Sequence, residues 1–170
     1  MKIISIDGNI ASGKSTILKK LENAGFKVIT EGADDDNRWR KYLELFYQEP
    51  KRWCFGLQLS ILEDMITEIE KCDSEDVIFI ERSSLASIDI FVKNSLNNGH
   101  LSDLEFSLLH KFYERFSWKP DKIILLEISP TVAMSRIKVR ARPAEKDIPI
   151  EYLKQLDEKY QEFAKKHSNI

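Results

Sequence analysis

Nine residues near the start of the chain, Gly8 to Thr16, have the types and spacing needed to bind a polyphosphate. Their order, Gly-Asn-Ile-Ala-Ser-Gly-Lys-Ser-Thr, fits the phosphate-binding loop pattern G-x-x-x-x-G-K-S/T at every fixed position. Glycines let the backbone curl so that successive N–H groups face one anion. Lys14 supplies a charge for the β- and γ-phosphates, and the Ser15 hydroxyl suits Mg²⁺. The predicted triphosphate site comprises Gly8, Asn9, Ile10, Ala11, Ser12, Gly13, Lys14, Ser15 and Thr16.

Acidic and basic side chains stand where two later strands are expected to end. Glu31 ends one apolar segment, and Glu81 and Arg82 follow another. Sites in open parallel sheets lie at the carboxyl ends of strands, so these groups are expected beside the phosphate loop. Glu31 could accept a proton from an attacking hydroxyl, Arg82 could bridge a carboxylate and the moving phosphoryl group, and Glu81 could join Ser15 as a Mg²⁺ ligand. The alternative is that they only cap strand ends or form an ion pair.

A second basic cluster comprises Arg136, Arg140 and Arg142. Spacings of four and two cannot place all three on one helix face, so at least one is expected outside the regular helix. Arginines on a lid of about residues 136–147 would stabilise the charge that develops on a transferring phosphoryl group. A solvated basic surface is the alternative.

Alternating strands and helices are predicted to position these groups. Apolar runs predict strands, and apolar residues at helical spacing predict the helices between them. The strands are Lys2–Asp7, Phe26–Glu31, Asp76–Glu81 and Lys122–Ile128; after the loop helix, the helices cover Trp39–Tyr47, Pro50–Ile69, Ser84–Leu96, Asp103–Phe116 and a last segment from Pro149. We therefore predict one α/β domain over residues 1–170, with a parallel sheet.

The composition excludes several classes of function. The 170 residues are 42% hydrophobic and 32% charged, which is typical of a soluble globular chain. A net charge of −2 gives no general attraction to nucleic acid or to an anionic membrane. Two cysteines and three scattered histidines form no metal-binding pattern. No segment reads as a leader or a membrane span, so a cytoplasmic location is expected.

Four segments together resemble the deoxyribonucleoside kinase family, which includes the insect multisubstrate enzyme and mammalian deoxycytidine, deoxyguanosine and mitochondrial thymidine kinases. They are the phosphate loop, Tyr47 through Gln58, the triplet Glu81-Arg82-Ser83, and Arg136 through Tyr152, in the family's order. The resemblance implies a P-loop kinase sandwich of three layers. It also implies transfer of phosphate from ATP, with Mg²⁺, to the 5′-hydroxyl of a deoxynucleoside in nucleotide salvage.

The resemblance also implies roles for individual residues. Glu31 would be the base for the 5′-hydroxyl, and Arg82 would steady it and the phosphate. Gln58 would pair with the edge of the nucleobase, because an amide offers both a donor and an acceptor. The other expected substrate contacts are Phe91 stacking on the base, Tyr47 and Glu145 at the sugar 3′-hydroxyl, Trp39 on the pocket wall, and Arg136, Arg140 and Arg142 as lid arginines. Without the resemblance, the aromatic residues would be assigned to the core.

Three positions are expected to govern the choice of base: Ile61, Met65 and Ser87. Two of them lack the Arg and Asp that mark deoxycytidine kinase, and the set resembles the thymidine-accepting members. We therefore expect a preference for pyrimidine deoxynucleosides, either thymidine or deoxycytidine.

The chain departs from the family at two places. Glu31 is followed by Gly32-Ala33 and an Asp run instead of Pro-Val, and the chain stops at Ile170, within the last helix that precedes the family's fifth strand. We therefore expect four strands in the order 2-3-1-4, with part of the adenine-binding wall missing. Family members are commonly dimers through two helices, so a homodimer involving Trp39–Ile69 and Ser84–Phe116 is expected.

Two other functions fit the same motifs. A monophosphate kinase of the thymidylate type would need a further cationic site, for which Arg38, Arg40 or Arg52 is available. A nucleotide-binding regulatory protein would need no base. The presence of Glu31 and Arg82 favours a kinase.

Overall fold

The computed structural model describes residues 1–31, 38–142, 145 and 147–167, with only the backbone at 38–40. These described residues form four strands: β1 (Lys2–Gly8), β2 (Lys27–Ile29), β3 (Val77–Glu81) and β4 (Lys122–Leu126). The helices are α1 (Lys14–Asn23), α2 (Arg38–Gln48), α3 (Pro50–Glu70), α4 (Ser84–Ala86), α5 (Lys93–Asn97), α6 (Asp103–Phe116), α7 (Pro130–Arg140) and α8 (Ile150–Lys166), with a π-helical segment at Ser87–Val92.

The sheet is parallel, and its strand order is β2-β3-β1-β4, which confirms the predicted order. In this register Ile6 pairs with Glu81, and Gly8 pairs with Leu126. The phosphate loop after β1 and Arg82 after β3 therefore emerge at the same edge of the sheet.

Helices cover both faces of the sheet, which explains why its strands are largely apolar. On one face, Ile78 and Ile80 of β3 pack with Met65 and Ile69 of α3. On the other face, the π-helical segment and α8 form a second core around Ile90, Leu156 and Phe163. These layers confirm the predicted sandwich.

Three strands are shorter than the sequence predicted, and β3 differs least, since it begins at Val77 rather than Asp76. Phe26 precedes β2 and packs edge-on against Phe79, with ring centroids 5.3 Å apart. Glu31 lies two residues beyond Ile29, and β4 stops at Leu126 rather than Ile128. These predictions were wrong at the ends because only residues that pair with a neighbouring strand belong to the sheet, and pairing stops at Ile29 in β2 and at Leu126 in β4.

The helix predicted over Ser84–Leu96 is interrupted. Its middle, Ser87–Val92, is π-helical and joins α4 to α5. Such wider turns are rare and frequently lie at functional sites. Here the segment carries Phe91, one of the predicted substrate contacts.

None of the helices in the described parts of the chain is long and apolar enough to span a membrane.

Candidate active site

A cleft of about 1290 Å³ opens at the carboxyl edge of the sheet. Single small ligands usually occupy about 300–1,000 Å³, so this cleft has room for a donor and an acceptor together. Residues of the phosphate loop, α2, α3 and α7 line it, together with Phe91. Glu31, Glu81 and Arg82 line the same cleft.

The phosphate loop adopts backbone conformations that its glycines permit. Gly8 has φ +147° and Gly13 has φ +105°, both in the region that favours glycine. A Cβ on Gly8 would lie 2.6 Å from the carbonyl oxygen of Leu126 and 2.7 Å from Oγ of Ser12. The side chain of Asn9 turns away from the cleft and donates to the carbonyl of Leu153, 3.0 Å away. Close packing against β4 and α8 therefore sets the shape of the loop.

Lys14 is held inside this loop. Its Nζ donates to the carbonyl oxygens of Gly8 at 3.0 Å and Asn9 at 3.1 Å. Burial lowers the pKa of Lys14 to about 8, aided by the nearby Arg82 and opposed by the carboxylates of Glu81 and Glu31. Phosphate oxygens beside the ammonium would favour its charged form.

Ser15 and Glu81 form the predicted metal-binding pair. The Ser15 hydroxyl donates to Oε1 of Glu81 at 3.1 Å, and both residues line the cleft. A hydroxyl and a carboxylate are oxygen ligands that suit Mg²⁺. The described residues contain no cluster of three or more His, Cys, Asp or Glu that could hold a metal on its own. A Mg²⁺ ion here would therefore depend on phosphate oxygens and water as well.

Glu31 and Arg82 form an ion pair on the wall of the cleft. Nη1 of Arg82 lies 2.8 Å from Oε1 of Glu31, and each side chain is only 12% exposed. Burial raises the pKa of Glu31 to about 7, while the positive charge of Arg82 opposes the increase. A carboxylate whose pKa lies near the working pH is suited to accept a proton.

The backbone of Arg82 is in the left-handed region, with φ +68°. Few non-glycine residues adopt this conformation, and those that do cluster at functional sites. The turn directs the guanidinium over the ring of Phe91, 3.8 Å from the ring centroid. Phe91 thus supports Arg82 as well as lining the cleft.

The structure brings together most of the predicted acceptor residues. Tyr47, Gln58, Ile61 and Phe91 all line the cleft. Gln58 is 5% exposed, yet its amide is not among the buried unpartnered side-chain groups of the described residues. Because its side chain lines the cleft, the amide can meet a polar ligand group there.

Two predicted base-contacting residues, Met65 and Ser87, are not among the residues that line the cleft. Met65 packs into the core between α3 and the sheet, because α3 has left the cleft one turn after Ile61. Ser87 is buried, and its hydroxyl donates to the carbonyl of Ser83 at 3.2 Å. The side chain of Trp39 lies outside the described residues.

The predicted lid arginines lie on α7 and just after it. Arg136 reaches the phosphate loop, where Nη1 donates to the carbonyl oxygens of Ala11 and Ser12 at 3.2 Å. Nε of Arg140 donates to Glu145 at 3.1 Å, and Arg142 lies 3.7 Å from the same carboxylate. Arg142 falls beyond the helix end, as the spacing predicted. Glu145 therefore contacts the arginines in addition to lining the cleft.

Sequence reasoning missed three residues of the site. Asp7, at the end of β1, accepts two hydrogen bonds from Ser83. Glu127 follows β4 and lines the cleft, as does Tyr152 of α8. Attention to polar residues at every strand end would have found Asp7 and Glu127, but no local pattern marks Tyr152.

Known proteins resemble this chain over nearly its whole length. The family model described as "Deoxynucleoside kinase" matches residues 4–170. A Frog virus 3 protein named "Putative deoxynucleoside kinase" is 34% identical over 160 residues, covering 93% of this chain and 80% of that protein. Human "Thymidine kinase 2, mitochondrial" is 30% identical, covering 98% of this chain and 65% of the relative. A Dictyostelium discoideum "Deoxyadenosine kinase" is also 30% identical, covering 94% and 65%.

Proposed function

The chain belongs to the deoxynucleoside kinase family, and from this premise we propose that it transfers the γ-phosphoryl group of ATP to the 5′-hydroxyl of a deoxynucleoside. The product would be a deoxynucleoside 5′-monophosphate, as in nucleotide salvage. The observation that carries the proposal is the Glu31–Arg82 pair, 2.8 Å apart, on a cleft that Lys14 also lines.

Glu31 would act as the general base. Its carboxylate would take the proton as the hydroxyl oxygen attacks phosphorus, and a pKa near 7 matches this task. Arg82 would hold the carboxylate in place and face the charge on the moving phosphoryl group. Positioning and electrostatic stabilisation account for most of the catalysis in such transfers.

The phosphates of the donor would lie in the loop from Gly8 to Thr16. Backbone N–H groups and the α1 N-terminus favour an anion there. Lys14 would exchange its contacts with the loop carbonyls for phosphate oxygens. Arg140 and Arg142, paired with Glu145, would move toward the γ-phosphate when the lid closes and excludes water.

Mg²⁺ would be held by Ser15, with Glu81 as a direct or water-mediated ligand. Their 3.1 Å contact supports this assignment, because two oxygen donors already meet at the edge of the phosphate loop. When bound, Mg²⁺ would neutralise part of the phosphate charge and orient the transferring group.

The acceptor would lie between α3 and the π-helical segment. Gln58 would read the base edge, Phe91 would contact its face, and Tyr47 and Glu145 would bind the 3′-hydroxyl. We propose pyrimidine deoxynucleosides as the better acceptors, thymidine or deoxycytidine, on the basis of the resemblance at Ile61, Met65 and Ser87 rather than of contacts in the cleft.

A homodimer is the proposed assembly. The exposed side of α6 carries Leu104, 83% exposed, together with Leu108 and Phe116. Apolar patches of this kind mark interaction surfaces. Sedimentation equilibrium should give twice the chain mass, and Leu104→Glu with Leu108→Glu should give the monomer. A wild-type monomer at all concentrations tested would refute this assembly.

The decisive test is ADP production with Mg-ATP. Four deoxynucleosides and their 5′-monophosphates serve as acceptors, with Glu31→Gln and an exposed control, Glu70→Gln, alongside the wild type. Turnover on deoxynucleosides that falls by roughly 10²–10⁴-fold in Glu31→Gln alone supports the proposal. Turnover only on monophosphates identifies a thymidylate-type kinase, and nucleotide binding without turnover on either set identifies a regulatory protein.

A further inference from the structure

The catalytic pair depends on an unusual turn at Arg82. Its φ of +68° is a conformation that the surrounding structure must impose. The same turn sets the guanidinium 2.8 Å from Glu31 and 3.8 Å from the Phe91 ring centroid. Whatever holds the turn therefore controls where the arginine meets the base.

Hydrogen bonds to residues of β1 hold this turn in place. The N–H of Arg82 donates to the carbonyl of Ile6 at 3.0 Å. The next residue, Ser83, donates its N–H to Oδ1 of Asp7 and its hydroxyl to Oδ2, both at 2.6 Å. Asp7 and Ser83 have no exposed surface, and the Ser83 hydroxyl also accepts from the N–H of Ala86 at 3.0 Å. One buried carboxylate thus fixes the junction between β3 and α4.

We propose that Asp7 is a positioning residue for phosphoryl transfer: by binding both donors of Ser83 it fixes the strained turn that aims Arg82 at Glu31. Asp7 itself does not line the cleft, so it acts through Arg82 rather than on substrate. The inference rests on the proposed roles of Glu31 and Arg82. The hydrogen bonds of Asp7 with Ser83 account for its position without any contact with phosphate.

A direct charge effect is the competing explanation, and it has the opposite sign. The charged groups that interact with Glu31 include Arg82, Glu81, Lys14 and Asp7, and the hydroxyls of Tyr113 and Tyr160 also interact with it. Removing the negative charge of Asp7 alone lowers the pKa of Glu31. Displacing the positive Arg82 raises that pKa. The acid limb of the pH–rate profile therefore separates the two explanations.

The experiment compares Asp7→Asn, Ser83→Ala, Ser83→Thr and the control Ser84→Ala. Ser83→Ala removes one contact with Asp7 and the hydrogen bond from the N–H of Ala86 without changing charge, whereas Ser83→Thr keeps the hydroxyl for both. Ser84 is also buried and donates to the carbonyl of Trp118 at 2.6 Å, so its loss measures a merely structural effect. The readouts are kcat, the KM for ATP and for deoxynucleoside, and the pH of the acid limb, with circular dichroism to verify folding.

We expect kcat to fall roughly 10- to 100-fold in Asp7→Asn and Ser83→Ala, with little change in the KM for ATP. The acid limb should move to higher pH in both, Ser83→Thr should restore the wild-type profile, and Ser84→Ala should retain it. If Asp7→Asn does not fold, the comparison of Ser83→Ala with Ser83→Thr still tests whether this hydrogen bond positions Arg82.

Unchanged kcat and acid limb in Ser83→Ala would overturn the proposal, as would a limb that moves to lower pH in Asp7→Asn. Equal losses in Ser83→Ala and Ser84→Ala would also overturn it. A Glu31→Gln protein with wild-type kcat would instead show that the base is misassigned, which is a failure of the proposed function itself.

Discussion

The two charged sides of the cleft are built in different ways. On the sheet side, buried hydrogen bonds from β1 fix the residues that follow β3, and Asp7 and Ser83 have no exposed surface. On the lid side, Arg140 and Arg142 share the carboxylate of Glu145, and their side chains are 30% and 38% exposed.

This difference suggests that the sheet side sets the positions of the reacting groups, whereas the lid side supplies positive charge. Buried hydrogen bonds are little affected by salt and hold one arrangement. The lid-side pairs share the buried carboxylate of Glu145, but their arginines reach solvent, so these pairs are screened more strongly. In the proposed mechanism, the sheet side would fix the direction of attack before substrate arrives. The lid side would deliver positive charge after the phosphates are in place.

The largest effect is expected from Arg82→Lys on the sheet side. Lysine keeps the charge but loses the planar guanidinium that contacts Glu31 and Phe91 together. We expect kcat to fall roughly 100-fold, as when one fixed donor to a developing charge is lost. Steady-state kinetics measure it, and Arg115→Lys on exposed α6 is the control. If kcat fell equally in Arg82→Lys and Arg115→Lys, the proposed difference between the sheet side and the lid side of the cleft would be wrong.

A second large effect is expected from Gly8→Ala, which tests the packing beneath the loop. The new Cβ would meet Leu126 and Ser12 at 2.6 and 2.7 Å. Gly99→Ala is the control, since Gly99 also has positive φ but nothing lies within 4 Å of its Cβ position. We expect Gly8→Ala to lower the free energy of unfolding by about 1–3 kcal/mol more than Gly99→Ala. Urea titration gives both values, and equal values would show that backbone strain alone is responsible.

The pH dependence should report the buried pair. Because burial raises the pKa of Glu31 to about 7, and the carboxylate is the active form, kcat/KM should fall as pH drops below about 7. The profile is measured from pH 5 to 8 at about constant ionic strength. Glu70→Gln should keep this limb. A rate independent of pH across that range would mean that Glu31 is not the base.

The smallest effects are expected on the lid side. Arg140→Ala and Arg142→Ala should each raise the KM for ATP a few-fold, with Arg140→Ala the larger because its contact with Glu145 is closer. Raising the ionic strength from about 0.1 to 1 M, where the Debye length falls from about 10 to 3 Å, should weaken ATP binding in the wild type. The variants should respond less. If Arg82→Lys changes this salt dependence as much, the proposed division between the two sides fails.

Local sequence was enough to predict the phosphate loop and the α/β order of elements. The loop is formed by consecutive residues, and its glycines and Lys14 act within one turn of the chain. Apolar runs fixed the positions of the strands, and the rule for strand ends placed Glu31, Glu81 and Arg82 at one edge. The cytoplasmic location remains a prediction from sequence.

Only the tertiary structure decided how the charged residues are paired and which candidates reach the cleft. Asp7 and Ser83 are 76 residues apart and meet because β1 and β3 are neighbours in one register. Met65 is one helical turn from Ile61, yet it faces the sheet because α3 crosses from the cleft to the core. Spacing along the chain determines local shape, whereas contacts between distant strands and the path of a helix depend on how the whole core packs.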